Sequence, residues 1–170
     1  MNKNFVFYTP DNLIYPEMKA IYDCQKDKST LTFHWPSTLT FIGQPHELKK
    51  IDQNELTREL GLWEHSCFEL FIKNKNNEEY VELNFSPNQA KWNAFHFTNY
   101  RSPIKETKKI TVTELSVGPT FVSIHFLKPS FEYSIHPKVI LFRDLRNSPI
   151  YLSDFQHPKT GPDFHLFSTS

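Results

Sequence analysis

Along most of this chain apolar and polar residues alternate with a period of two, the pattern of strands with one face in a core. In Cys67–Lys73, CFELFIK, the side chains of Phe68, Leu70 and Ile72 fall on one side and Cys67, Glu69, Phe71 and Lys73 on the other. In the next segment Val81, Leu83 and Phe85 share a side, opposite Tyr80, Glu82, Asn84 and Ser86. A turn over 74–79 pairs Phe68 with Phe85, Leu70 with Leu83 and Ile72 with Val81, so all six face the core. A slip of one residue would turn one strand's apolar set outward, which specifies the register. The same register sets Glu69 opposite Asn84 and Phe71 opposite Glu82, and gathers Glu69, Tyr80, Glu82 and Asn84 on the second face.

Similar segments recur at 4–9, 18–23, 29–35, 38–42, 91–98, 110–117, 120–128, 139–144 and 150–154, bounded by Asp, Asn, Pro and Ser. Gly118-Pro119 and Asn147-Ser148-Pro149 are strong turn signals and mark two further hairpins. The stretch 52–60 reads as a helix, with Asp52 as cap, Glu55 three residues on and Gly61 as the stop. Roughly ten short strands with turns between them predict an all-β fold, an antiparallel β-sandwich with one short helix. With no repeat and no shift in composition, residues 1–170 are expected to form one domain.

Composition sharpens this picture. The chain holds 16 Phe, 7 Tyr, 3 Trp and 12 Pro, a bias toward pleated surfaces and turns and away from helix interiors. Lys+Arg and Asp+Glu are both 19, so the basic excess of a nucleic-acid binder is missing. Two cysteines, Cys24 and Cys67, make no disulfide framework, and the first residues contain no apolar run suited to a signal peptide or a membrane span. A cytoplasmic location is the expectation.

Aromatic rings beside acids and an amide suit a polyol ligand, although an ordinary solvated sheet face has the same composition. At this point the chain resembles a known family. Trp63, Glu69, the run from Tyr80 to Pro87 (YVELNFSP), Trp92 and Tyr100-Arg101 follow the recurring pattern of DOMON-like proteins related to type 9 carbohydrate-binding modules. The closing segment YLSDFQHPKTGPDFH, residues 151–165, is similar to that family's last motif. The resemblance implies a sandwich of the jelly-roll kind whose ligand lies on a concave sheet or at its rim. It also implies that Trp63 and Glu69, six positions apart as in sugar-binding relatives, hold a terminal sugar.

The expected function is therefore a binding module for a small carbohydrate or similar polar ring compound, without catalysis. Trp63 would stack on the ring, Glu69, Glu82 and Asn84 would hydrogen-bond it, and Arg101 would orient an acid or an anionic substituent. Trp92 and Tyr100 complete the set; with no Trp after Trp92, Phe155 or Phe164 would replace the second clamping ring of the relatives.

Several rivals stand beside it. Glu69 and Glu82 can form a hydrolase pair, since carboxylates one strand apart can approach the separation of about 5 Å used by retaining glycosidases. An aromatic face can dock a protein partner. His157, Asp163 and His165 can bind Zn²⁺, or their loop can be held by Asp163 bonding backbone amides. Haem, found in remote relatives, would need Met18 with a His, and calcium would need an Asp-rich loop, which is missing. Cys67 shares a face with His65, which permits a weak Cys–His dyad or a buried inert thiol.

Overall fold

Strand pairing builds a single sheet. The computed structural model describes residues 2–87, 90–144, 146–156 and 163–165. Its strands are β1 (Asn2–Tyr8), β2 (Ile14–Cys24), β3 (Lys28–His34), β4 (Lys49–Asp52), β5 (Thr57–Arg58), β6 (Cys67–Asn74), β7 (Tyr80–Phe85), β8 (Lys91–Phe97), β9 (Lys105–Glu106), β10 (Val112–Gly118), β11 (Phe121–Leu127), β12 (Tyr133–Leu141) and β13 (Ile150–Ser153). They follow one another in space as β4-β10-β11-β3-β2-β1-β13-β12-β6-β7-β8-β5, with β9 against β8. Neighbours run antiparallel except β5 and β8.

The sheet curls strongly because its apolar side chains need a partner layer. Phe33 of β3 meets Phe68 of β6 edge-on at 4.9 Å between centroids and lies 5.9 Å from Phe85 of β7, although β3 and β6 are far apart in the strand order. Trp35, just after β3, adds contacts to Phe68 at 5.5 Å and to Phe41 at 5.2 Å. The two halves meet at a narrow joint between β1 and β13, where Tyr8 pairs with Ser153.

The register of β6 and β7 is the predicted one, from Phe68–Phe85 through Glu69–Asn84 to Ile72–Val81. Its closing bond runs from the Asn74 N–H to the Glu79 carbonyl at 2.9 Å. The hairpins across Gly118-Pro119 and across 142–149 also form.

Other expectations are corrected. Residues 52–60 form no helix: Glu55 does reach back to the Asp52 N–H at 3.2 Å, but the chain then turns into β5. The Thr57 and Glu59 N–H groups bond to the Ala90 and Trp92 carbonyls instead, so tertiary pairing overrides the local cap signal. Residues 38–42 form no strand, yet Leu39 and Phe41 are buried in the core, so their apolar character served packing rather than pairing. β12 starts at Tyr133, well before 139, and runs through Pro137. Since β13 pairs only from Lys138 onward, the missing N–H of Pro137 falls where β12 has no second neighbour. β2 likewise starts early, and its register with β1 shifts between Val6 and Phe7, which accommodates Pro16.

Met18, the haem-ligand candidate, is packed in the main core. The second face of β6 and β7 is also buried rather than solvated, because later segments fold across it.

Phe68 joins both halves of the sheet, so Phe68→Ala is expected to lower the unfolding free energy by about 3–5 kcal/mol in a urea titration. Leu48→Ala, at an exposed position, should change it by less than about 0.5 kcal/mol.

Candidate functional site

β6, β7, β8 and β12 present one continuous floor on the face away from the main core. Cross-strand pairing sets Lys138 opposite Glu69, Glu69 opposite Asn84, and Asn84 opposite Asn93. One step along, His136, Phe71, Glu82 and Phe95 form the next row. Three segments cover this floor. Gly61, in the left-handed region at φ 75°, leads into a short 3-10 turn at Leu62–Glu64 that carries Trp63 over Phe95. Residues 98–104 close a second side, and 163–165 a third.

Between floor and cover lies a cavity of about 310 Å³ that opens to solvent. Trp63, Phe71, Phe95, Ile104, Ile140, Tyr151 and Phe164 supply its apolar walls, and Glu69, Glu82, Arg101 and His165 its polar groups. Trp63 is 36% exposed and stands edge-on to Phe95 at 5.7 Å, at the rim of the cavity. Phe164 packs against Tyr151 at 5.8 Å on the opposite side.

The two acids are unusual for their burial. Glu69 is 3% exposed and Glu82 8%. Burial pushes Glu69 well above the carboxylate range; the charge of Glu82 adds to this and Lys138 opposes it. Burial also raises Glu82 to about 7, against the hydrogen bond it accepts from Asn84 Nδ2 at 2.7 Å. Asn84 Oδ1 is a buried acceptor without a donor among the described residues.

His165 is held by Tyr80. The Tyr80 hydroxyl accepts from the Arg101 N–H at 3.3 Å and shares a hydrogen bond with His165 Nδ1 at 2.8 Å. The other ring nitrogen, Nε2, lies 3.9 Å from Glu82 Oε2. Burial, assisted by Arg101, lowers its pKa to about 4, so His165 is neutral near pH 7.

Arg101 itself adopts φ 50°, a conformation that costs a non-glycine residue about 1 kcal/mol or more. Its backbone bond to Tyr80 and its ion pair with Asp163 at 3.2 Å hold it there. Asp163 also accepts from the Tyr100 hydroxyl and from the His165 N–H at 3.0 Å. Burial works to raise Asp163, but these bonds outweigh it and hold the carboxyl below its usual range.

Behind Glu69, Lys138 is fully buried and donates to Asp154 Oδ1 at 2.5 Å. Its ammonium also lies 3.6 Å from the centre of the Phe155 ring. Burial lowers Lys138 to about 8, against the pull of Asp154.

Of the residues singled out in the sequence, Trp63, Glu69, Glu82, Arg101 and Phe164 converge on the cavity. Tyr100 stands at the rim through Asp163, and Asn84 lies beneath Glu82 rather than on the cavity wall. Trp92 is elsewhere: it alternates onto the opposite face of β8, in the main core with Arg58 stacked 4.4 Å away. Asp163 and His165 are engaged with Tyr100, Arg101 and Tyr80 rather than turned to a common metal, and His157 lies outside the described residues. Cys67 is wholly buried with its sulfur 3.8 Å from the Phe85 carbonyl, and His65 is exposed, so they form no dyad.

Sequence reasoning missed Phe95, Ile104, Ile140, Tyr151 and the buried Lys138. Phe95 was within reach, since alternation from Asn93 sets it beside Glu82. Lys138 lay just before the predicted strand 139–144, Ile140 and Tyr151 were placed in predicted strands without being assigned to the site, and Ile104 carries no local signal.

No family model and no curated protein matches the chain. Among solved structures, it is similar to a "putative carbohydrate-binding protein" of Bacteroides uniformis, with a TM-score of 0.59 and 11% identity over 98% of this chain and 82% of that one. The likeness is one of fold, an all-β antiparallel architecture shared over nearly the whole chain.

The acids make stability depend on pH. Glu82 rises from 4.5 to about 7 on folding, so the folded state holds its proton more tightly and loses this contribution as pH climbs through that interval. Glu82→Gln should therefore gain stability relative to the parent between about pH 5 and pH 8, at about 1.4 kcal/mol per unit of pKa shift removed. Urea midpoints measured across that range check it; parallel profiles for the two proteins would contradict the buried, proton-holding Glu82.

Proposed function

We propose that this chain is a non-catalytic binding module for a small carbohydrate or similar polar ring compound, held in the cavity beneath Trp63. The observation that carries the proposal is an indole at the rim with two buried carboxyl groups below it, all turned to one opening. An aromatic face packs against the C–H side of a pyranose, while carboxyl oxygens accept from its hydroxyls. The Arg101 guanidinium adds donors for ring and hydroxyl oxygens, and the His165 ring adds a further polar partner. A volume of about 310 Å³ is at the small end for ligand sites, which favours one or two rings over a polymer.

Two further considerations agree with this. The sequence pattern resembles DOMON-like proteins related to type 9 carbohydrate-binding modules, for which a jelly-roll arrangement of the strands is proposed. The printed name of the Bacteroides uniformis protein also refers to carbohydrate binding.

A hydrolase using Glu69 and Glu82 is the alternative, because both acids line one cavity. It is less well supported. A retaining glycosidase keeps one carboxylate ionised as nucleophile, whereas burial here raises both.

A thermal-shift screen with a panel of mono- and disaccharides tests the proposal. At least one saccharide should raise the melting temperature, and Trp63→Ala should weaken its binding by about tenfold or more, as expected for loss of an aromatic anchor. No shift with any saccharide would leave the proposal without support. Release of nitrophenol from chromogenic glycosides, lost in Glu69→Gln, would replace it with the hydrolase.

A further inference from the structure

The polar groups around the cavity do not balance in charge, and the imbalance bears on the class of ligand. Of the cations nearby, Lys138 is matched by Asp154 at 2.5 Å, a carboxyl that also accepts from His136 Nδ1 at 3.1 Å. Arg101 is matched by Asp163 at 3.2 Å. His165 is neutral. Glu69 feels the Lys138 charge but makes no ion pair with it among the described residues, and Glu82 meets only the neutral His165 at 3.9 Å, so both acids face the cavity without a cation in contact.

Their hydrogen bonding is also incomplete. Glu82 accepts from Asn84 at 2.7 Å, but Glu69 makes no hydrogen bond or ion pair among the described residues, although it is 3% exposed. Asn84 Oδ1, on the residue paired across from Glu69 and beneath the cavity wall, is a second buried acceptor lacking a donor among the described residues. Phe71 and Phe95 stand beside these acids with Trp63 above, and the negative faces of aromatic rings favour a cation over an anion.

A neutral sugar offers these oxygens hydroxyl donors only. A ligand carrying its own positive charge offers three N–H donors at one atom and also draws the two carboxyls, which burial disposes to keep their protons, into the ionised form.

We infer that the ligand is a cationic amino sugar, whose unsubstituted, protonated amine enters between Glu69 and Glu82 while its ring lies under Trp63. This rests on the sugar-binding proposal and narrows it to one class. An N-acetyl group removes the charge, and a carboxylate on the ring would meet the two acids, so acetylated and acidic sugars are excluded from the same pose.

Isothermal titration of the full chain with D-glucosamine, D-glucose and N-acetyl-D-glucosamine near neutral pH tests the inference. Glucosamine should bind about tenfold tighter than either neutral sugar, equivalent to about 1.4 kcal/mol. Glu69→Gln, which keeps the shape of the side chain, should bring glucosamine and glucose to within about threefold of each other. Trp63→Ala should weaken both alike, because the stacked ring is common to them, and a circular dichroism melt of each variant confirms that it folds. Glucose or N-acetylglucosamine binding as tightly as glucosamine to the parent protein overturns the cationic class and leaves the sugar-binding proposal standing. Preference for glucosamine that survives in Glu69→Gln also overturns it. Failure of all three sugars to bind overturns both.

Discussion

The hairpin of β6 and β7 carries apolar side chains on one face and carboxyl groups on the other, and both faces are buried. A strand in that position cannot leave its acids to bulk water. Each must be protonated, matched by a cation, or given a cavity in which something else can satisfy it. Outside the hairpin, Asp154 takes the second course through Lys138; within it, Glu82 takes part of its relief from Asn84. Glu69 has no hydrogen bond among the described residues, so burial disposes it to keep its proton, and it lines the cavity. The opening beneath Trp63 therefore follows from the placement of charge on an interior strand as much as from imperfect packing.

The cover over this floor is assembled from distant parts of the chain. Gly61 in the left-handed region sets Trp63 at the rim, Arg101 accepts an unfavourable backbone conformation, and Asp163 ties Arg101 and Tyr100 together. Tyr80 links floor and cover by bonding both the Arg101 N–H and the His165 ring. Strain of this kind persists only where surrounding contacts over-determine it, and here those contacts converge on the cavity. The same residues hold the His165 ring in place beside Glu82, so the electrostatics of the opening depend on the fit of its lid.

The sign of the local charge also separates binding from catalysis. Paired carboxyls that work as acid and nucleophile are driven apart in protonation by different surroundings. Here desolvation acts on Glu69 and Glu82 in the same direction. That environment rewards a ligand that brings donors and positive charge, and offers little to a reaction that needs one acid held ionised.

The period-two pattern of CFELFIK and EYVELNF was enough to determine the strands, their register and which residues share each face, because a slip would have exposed three large apolar groups at once. It was also enough to set Glu69, Glu82 and Asn84 side by side. Local pattern misled where a nearer partner was available: the cap signal at Asp52 and Glu55 closed a turn, and the chain after it paired with β8. What the sequence could not decide was whether the second face meets water. That depended on Trp63, from the turn just before β6, and on Arg101, Tyr151 and Phe164, from farther along the chain, folding over it, and Trp92, one parity away from Phe95, went to the core instead. Alternation reports which side of a strand a residue occupies, while the depth of that side, and with it the protonation of an acid, is set by long-range packing alone.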